Sequence, residues 1–137
     1  MVLTADHSTG GLSIGANGNY SWNPKWLTKL KASPYEIGKQ LIGAKDRGVI
    51  ASEMLGFELT KEEIASIKVI ESEEAMPYHK AITKILDNRT DTGWTTSAHT
   101  GVDVPIFAKG SGSEHFRGHL DNTRIAKIIF ALLKDKN

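Results

Sequence analysis

The sequence of 137 residues contains no cysteine. Disulfides, thiolate metal sites and cysteine nucleophiles are therefore excluded, and any metal must be bound by histidine and carboxylate side chains. No apolar run is long enough to span a membrane, and the first residues lack the basic and long apolar segments of a signal peptide. The formal net charge is +1, so the charge balance does not point to nucleic acid or an anionic membrane as a partner.

The residues that are present predict one domain of mixed α/β class. A hydrophobic fraction of 39% and a charged fraction of 24% are ordinary for a globular protein of this length. Strand signals lie near both ends, and a helix-rich stretch over residues 25–89 separates them. We find no internal repeat and no low-complexity segment.

Apolar spacing and capping signals predict the individual elements. Ser33 and Thr60 each precede a glutamate by three residues, which predicts two capping boxes. Apolar residues along the last predicted helix form one continuous face, which we expect to pack on the strands. The predicted strands cover 2–5, 12–14, 94–99 and 104–108, and the predicted helices cover 26–31, 33–44, 49–55 and 60–70, with two more starting at Pro77 and Asn122.

The first predicted strand leads directly to a carboxylate and an imidazole. Val2 and Leu3 begin the strand, Asp6 and His7 follow it, and Gly10 lies at the turn that comes next. A buried strand that ends in polar side chains is typical of the ligand-binding edge of an α/β sheet. One carboxylate oxygen and one imidazole nitrogen suit zinc or manganese, but two ligands do not complete a metal site.

His99 is the candidate for the third ligand. It lies at the end of the predicted strand 94–99, beside the turn at Thr100 and Gly101. If this strand and the first strand share one sheet and one direction, Asp6, His7 and His99 converge on one edge. A strand-end aspartate can equally be a helix cap, and a histidine can be structural, so spacing leaves a metal site and a structural role both open.

Two segments in this order resemble the C-terminal signatures of alkaline phosphatases. They are Thr-Ala-Asp-His-Ser-Thr-Gly-Gly at residues 4–11 and His-Thr-Gly-Val-Asp-Val-Pro at residues 99–105. The segment 116–123, which leads into the final helix, is similar to the family's ending. The resemblance implies an αβα three-layer sandwich, of which residues 1–137 are a C-terminal portion and residues 18–93 a helix-rich, crown-like insert.

The resemblance also implies an activity and a set of cofactors. The family hydrolyses phosphate monoesters with two zinc ions, a nearby magnesium and a serine nucleophile that becomes phosphorylated. Asp6 and His7 match ligands of the zinc that activates the serine, and His99 matches a ligand of the other zinc. It further implies an extracytoplasmic parent protein, secreted, periplasmic or on the cell surface, and a possible homodimer.

Several of the family's site residues have no counterpart in this chain. The nucleophilic serine, the phosphate-binding arginine, the magnesium ligand and the remaining zinc ligands are unmatched; Ser8 and Ser13 lie nearby but do not correspond to the nucleophile. Met1 directly precedes a strand, so we expect a piece of a longer chain. The isolated chain is therefore predicted to carry no catalytic residue, to be inactive, and to bind zinc weakly or not at all.

Two other interpretations remain open. The Asp-His strand end and the later His-Thr segment are also similar to cofactor-independent phosphoglycerate mutases and phosphopentomutases, which use two manganese ions. A different class is a non-catalytic α/β module whose residues 18–93 make protein contacts.

Overall fold

A computed structural model describes residues 1–134, and the chain divides into two compact units. We call the first the strand unit; it combines Met1–Gly11 with the described part of Thr95–Asn137. We call the second, Leu12–Trp94, the helical unit. The predicted range 1–137 includes residues 135–137, which lie outside the described residues.

Six short strands within residues 1–134 form three antiparallel pairs. In the strand unit β1 pairs with β6 and β2 pairs with β5, whereas β3 and β4 pair in the helical unit. The strands are β1 Val2–Thr4, β2 Ser8–Thr9, β3 Ser13–Ile14, β4 Thr92–Gly93, β5 His99–Thr100 and β6 Ile106–Ala108.

Five α-helices and two short 3₁₀ helices make up the remaining regular structure of residues 1–134. The α-helices are α1 Pro34–Leu41, α2 Arg47–Leu55, α3 Lys61–Lys68, α4 Ala75–Thr90 and α5 Asn122–Lys134. The 3₁₀ helices are Pro24–Lys29 and Ser113–Phe116.

The helical unit has a well-defined apolar core. The helix faces predicted from apolar spacing are buried, including Ile37 and Leu41 of α1 and Ile82 of α4. Gly38 allows α1 to approach α4 closely, because a Cβ at this position would lie 2.8 Å from the carbonyl oxygen of Ala75. The remaining core residues are Ala51, Leu55, Phe57, Ile67, Tyr78, Ile85 and Leu86.

Helix starts were predicted less accurately than helix faces. Thr60 forms the expected capping box with Glu63, which is confirmed by reciprocal side-chain and backbone hydrogen bonds. Only half of the second predicted box is confirmed: Ser33 Oγ accepts the backbone N–H of Glu36 at 3.3 Å, but the carboxylate of Glu36 binds Lys39 Nζ at 2.9 Å instead of the backbone of Ser33.

Two further helix starts lie earlier than predicted. The helix predicted over 49–55 begins at Arg47, and Gly48 in its first turn makes room for Ile64 of α3. The helix expected to start at Pro77 begins at Ala75, because proline is compatible with the first turn of a helix and need not be its first residue.

The strand predicted over 94–99 is also wrong. Strand β4 ends at Gly93, and β5 begins only at His99. The backbone N–H groups of Thr95 and Thr96 both donate to the carbonyl oxygen of Gly10, at 2.8 and 3.2 Å. These hydrogen bonds form a turn between β4 and β5. The alternating residue pattern over 94–99 therefore does not correspond to a paired β-strand.

The strand unit is much more exposed than the sequence indicates. Strand β1 was expected to be buried, yet all three of its residues are exposed. Helix α5 contains no buried residue, so the expected packing of its whole apolar face is wrong. Asp121, rather than the predicted Asn122, accepts the N–H of Thr123 at 2.9 Å at the start of this helix.

Candidate metal centre

Asp6 and His7 lie in the short connection between β1 and β2. The backbone N–H of His7 donates to Asp6 Oδ1 at 3.1 Å, which orients the carboxylate toward the imidazole. The other carboxylate oxygen, Oδ2, lies 3.4 Å from His7 Nε2. The two side chains are therefore adjacent as predicted, with the carboxylate largely exposed and the imidazole partly buried.

The other ring nitrogen of His7 lies near oxygen atoms. His7 Nδ1 lies 3.2 Å from the carbonyl oxygen of Ser8 and 3.5 Å from Thr9 Oγ1. A carbonyl can only accept, so in the neutral imidazole a hydrogen bond to Ser8 places the proton on Nδ1 and leaves a lone pair on Nε2. A histidine whose second nitrogen donates to a backbone carbonyl is in the tautomer and orientation that metal binding requires.

The pair formed by Asp6 and His7 fits one edge of a zinc site. With the proton on Nδ1, His7 Nε2 and the carboxylate oxygen of Asp6 present lone pairs to each other, which is repulsive. A proton or a cation between the two atoms would remove this repulsion. Two ligands on a tetrahedral zinc with bonds of 2.0–2.1 Å are about 3.3–3.4 Å apart. The observed separation of Asp6 Oδ2 and His7 Nε2, 3.4 Å, agrees with that value.

His99 is brought to His7 by the pairing of β2 with β5. Thr9 of β2 is the antiparallel partner of His99, whereas β1 pairs with β6, so the expected single sheet of the first strand and the strand of His99 is wrong. The two imidazole rings nevertheless stack, with centroids 3.5 Å apart and planes inclined by 19°. The sequence therefore identified the right neighbours, although the proposed strand arrangement does not hold.

The stacking of His7 on His99 affects whether both histidines can bind the same metal ion. The lone pair of an imidazole lies in the plane of its ring, and a metal ligated by that nitrogen lies close to the same plane. Two nearly parallel planes 3.5 Å apart are unfavourable for binding one ion through both rings. Among residues 1–134, no three histidine or carboxylate side chains are arranged around one point.

A cleft of about 930 Å³ in the strand unit is lined in part by Asp6 and His7. Asp103 and His119 also line it, and their side chains approach to 3.4 Å. His119 is exposed, and the sequence analysis does not predict its contact with Asp103. Residues 103 and 119 are distant in the sequence, so no local sequence pattern indicates that their side chains are in contact.

His115, Ser13 and His79 are further side chains of types that can bind a metal or act as a nucleophile. His115 contacts Glu114 at 3.7 Å and is exposed. Ser13 belongs to β3 in the helical unit, and His79 belongs to α4 of the same unit. None of these positions adds a ligand to Asp6 and His7 within the described part of the chain.

A polar cluster in the helical unit was missed by the sequence analysis. Asp91 is 6% exposed and has a positive φ of 56°. Its carboxylate accepts hydrogen bonds from Asn19 at 2.7 Å, Ser21 at 3.1 Å and Asn23 at 3.2 Å. These bonds, led by that of Asn19, lower the pKa of Asp91. These three polar residues occupy every second position of the loop, and this spacing could have indicated a shared hydrogen-bond acceptor.

No helix within residues 1–134 combines the length and apolar character needed to cross a membrane.

Comparisons with known proteins give one consistent result. The family model described as alkaline phosphatase matches residues 1–134. The chain is 38% identical over 135 residues to alkaline phosphatase 4 and 41% identical over 140 residues to alkaline phosphatase 3, both of Bacillus subtilis. It also matches the crystal structure of a cold-active alkaline phosphatase from a psychrophilic Shewanella, with 44% identity and a TM-score of 0.88.

These matches cover almost all of this chain and only part of each relative. They include 98% of the chain and 29% and 30% of the two Bacillus proteins. For the Shewanella structure the values are 96% of this chain and 33% of the other. The chain thus spans about a third of the length of the relatives that it matches, and the structural match confirms the predicted mixed α/β fold class.

Proposed function

The chain belongs to the alkaline phosphatase family, and on that premise we propose that it contributes metal ligands to an enzyme that hydrolyses phosphate monoesters. The observation that carries the proposal is the arrangement of His7, which presents Nε2 to Asp6 and stacks on His99. Family membership favours a phosphatase over the phosphomutase considered above, because the curated relatives are alkaline phosphatases.

Asp6 and His7 would hold one zinc ion, and His99 would hold the other. The contact between His7 Nδ1 and the carbonyl oxygen of Ser8 favours the tautomer of the neutral imidazole in which Nε2 is the coordinating nitrogen. The backbone N–H of His7 keeps the carboxylate of Asp6 turned toward the same place. Stacking favours separate ions for the two rings, in agreement with the assignment that the resemblance implies.

Zinc bound at these residues would supply Lewis-acid stabilisation of the charge on the phosphoryl group. The chain's own contribution is to hold the ligands in position. The antiparallel pairing of Thr9 with His99 fixes the two histidines relative to each other through backbone hydrogen bonds. Such support reduces the rearrangement that the ligands undergo when the metal binds.

The remaining parts of the active site would come from a longer chain. We infer that residues 1–137 form a C-terminal portion, that residues 18–93 are its crown-like insert, and that the nucleophilic serine and the magnesium ligand lie outside it. By family resemblance the whole protein would act outside the cytoplasm, and it would contain two zinc ions and one magnesium. A homodimer of the whole protein also belongs to this proposal.

The test is hydrolysis of a chromogenic phosphate ester by a full-length protein that contains this chain. We expect His99→Asn to lower activity by more than about 100-fold, since even residues that only support metal ligands typically cost 10- to 100-fold. His115→Asn is the matched control, because His115 is exposed and its side chain contacts only Glu114 among the described ion pairs. Equal activity of the two variants would contradict the proposal.

A further inference from the structure

The loop that carries the hydrogen-bond partners of Asp91 also contains the one Asn-Gly sequence of the chain, at Asn17 and Gly18. Both residues have a positive φ, 59° and 75°, and the N–H of Asn19 donates to the carbonyl oxygen of Ala16 at 3.1 Å across them. Positive φ at both central positions is typical of a type I′ turn, for which Asn-Gly is a preferred sequence. The loop therefore makes a tight turn at this point.

The turn is open to solvent. Asn17 and Gly18 are both exposed, and a Cβ placed on Gly18 would meet no atom within 4 Å. Within residues 1–134, the N–H of Gly18 donates to no backbone carbonyl oxygen. The nitrogen of Gly18 is thus neither shielded by a side chain nor held in regular structure, and glycine can adopt the backbone conformations that its approach to Asn17 requires.

An exposed Asn-Gly turn is prone to one particular reaction. We propose that Asn17 is a site of spontaneous deamidation, and that the resulting carboxylate weakens the loop that surrounds Asp91. The backbone nitrogen of Gly18 attacks Cγ of Asn17 and loses its proton, a C–N bond forms to close a succinimide ring, and the side-chain nitrogen leaves as ammonia. Water then opens the ring at either carbonyl to give aspartate or isoaspartate. The sum consumes one water and releases one ammonia, with no oxidation or reduction.

The other asparagines of the helical unit are better protected from this reaction. Asn19 and Asn23 have their amide groups bound to the carboxylate of Asp91, at 2.7 and 3.2 Å. Asn23 also precedes Pro24, whose ring nitrogen carries no hydrogen to lose. Asn88 lies within α4, where the helical backbone holds the nitrogen of the next residue in place. Asn17 is therefore the position at which the reaction should be concentrated.

The effect of the reaction follows from the position of Asn17 beside the carboxylate of Asp91. The N–H of Ala16, the preceding residue, donates to the backbone carbonyl oxygen of Asp91 at 2.9 Å. Hydrogen bonding lowers the pKa of Asp91, with Asn19 the largest cause and Asn17 a smaller one, so the amide of Asn17 favours the ionised carboxylate. A carboxylate in place of that amide removes a donor and adds a like charge, which is unfavourable. Isoaspartate also inserts a methylene group into the backbone of the turn.

Ageing of the purified chain tests the chemistry. The chain would be kept in warm, mildly alkaline buffer and analysed by tandem mass spectrometry of its peptides, with released ammonia measured in parallel. We expect Asn17 to deamidate at least about tenfold faster than Asn19 or Asn88, because glycine has no Cβ to hinder the attack. Asn17→Gly, which keeps a residue that tolerates positive φ, should abolish the fast phase of ammonia release. Deamidation of Asn17 no faster than that of Asn19 would overturn the inference.

Thermal unfolding tests the effect on the loop. Asn17→Asp, which carries the charge of the product, should lower the melting temperature at pH 7. Asn122→Asp is the matched control, because Asn122 is exposed, belongs to the strand unit and begins a helix, where an added negative charge is not destabilising. The inference is equally overturned if Asn17→Asp melts like the unmodified chain, or if Asn122→Asp lowers the melting temperature by as much.

Discussion

At the scale of single residues, the orientation of the His7 imidazole depends on its polar contacts rather than on its position in the sequence. The adjacency of Asp6 and His7 is evident from the sequence, but the direction of the imidazole is not. The contact of Nδ1 with Ser8 fixes that direction, and it involves a backbone carbonyl that any residue could supply. This is why the candidate ligands could be predicted while their orientation could not.

Asp91 gives the clearest prediction at this scale. Its pKa is lowered by hydrogen bonds, of which that from Asn19 is the largest cause, so folding favours the ionised carboxylate. The resulting stability is fully present above the unfolded pKa, about 3.9, and is lost as the pH falls through the lower pKa of the folded state. We therefore expect Asp91→Asn to lower the melting temperature at pH 7 and to flatten its decline in acid.

The measurement is thermal unfolding followed by circular dichroism between pH 7 and the acid limit of folding. Asp46→Asn is the control, since it removes the same charge from an exposed aspartate whose side chain makes no capping hydrogen bond. The two variants should differ at pH 7. Identical melting curves for both would show that the cluster around Asp91 does not stabilise the helical unit.

At the scale of the elements, apolar spacing predicted which helix faces are buried in the helical unit. The buried positions of α1 and α4 follow the helical repeat, and α3 begins with the predicted capping box. The same spacing failed for α5, whose amphipathic pattern is about as strong as that of α1. An amphipathic sequence pattern predicts that a helix face packs against another element. Only the structure shows whether the described residues of the same chain provide that element.

A salt bridge ties the start of α3 to the end of α4. Arg89 donates to both carboxylate oxygens of Glu63, at 2.8 and 2.6 Å, and its guanidinium lies 5.0 Å from the ring centre of Trp26. The hydrogen bond from Arg89 lowers the pKa of Glu63, and the same contact raises the pKa of Arg89. The pair therefore joins two helices, and the arginine also covers the indole.

We expect Arg89→Lys to lower the free energy of unfolding by about 1–3 kcal/mol, because lysine cannot form the two-point contact. Chemical denaturation of the chain would measure this change. Lys84→Arg exchanges the same two residue types at an exposed position of the same helix, and should leave stability unchanged within about 0.5 kcal/mol. A loss for Arg89→Lys no greater than the change in the control would contradict the structural role of the pair.

At the scale of the whole molecule, we propose that the chain carries some of the metal ligands of a phosphatase without a complete site. No three potential ligands surround one point within residues 1–134, and the residues matched to the family are assigned to two different ions. The sequence could indicate this incompleteness because the family signatures are short and local. It could not indicate how exposed the strand unit is, since burial depends on parts of the fold that pack from elsewhere.

The isolated chain should therefore bind zinc weakly and hydrolyse no phosphate ester. Calorimetric titration should show no stoichiometric zinc binding at micromolar concentrations, because a pair of ligands gives far less affinity than a closed tetrahedral set. Asp6→Asn should change this result little. Tight binding of one zinc ion, lost in the Asp6→Asn variant, would show that the chain completes a site by itself.

The most direct test of the central claim is the zinc content of a full-length protein that contains this chain. If His7 and His99 bind different ions, His7→Asn and His99→Asn should each remove one of two zinc ions, and the double variant should remove both. Elemental analysis of the purified proteins, with His115→Asn as the control, measures this stoichiometry. Full zinc content in both single variants, or the loss of no more than one ion in the double variant, would contradict the account.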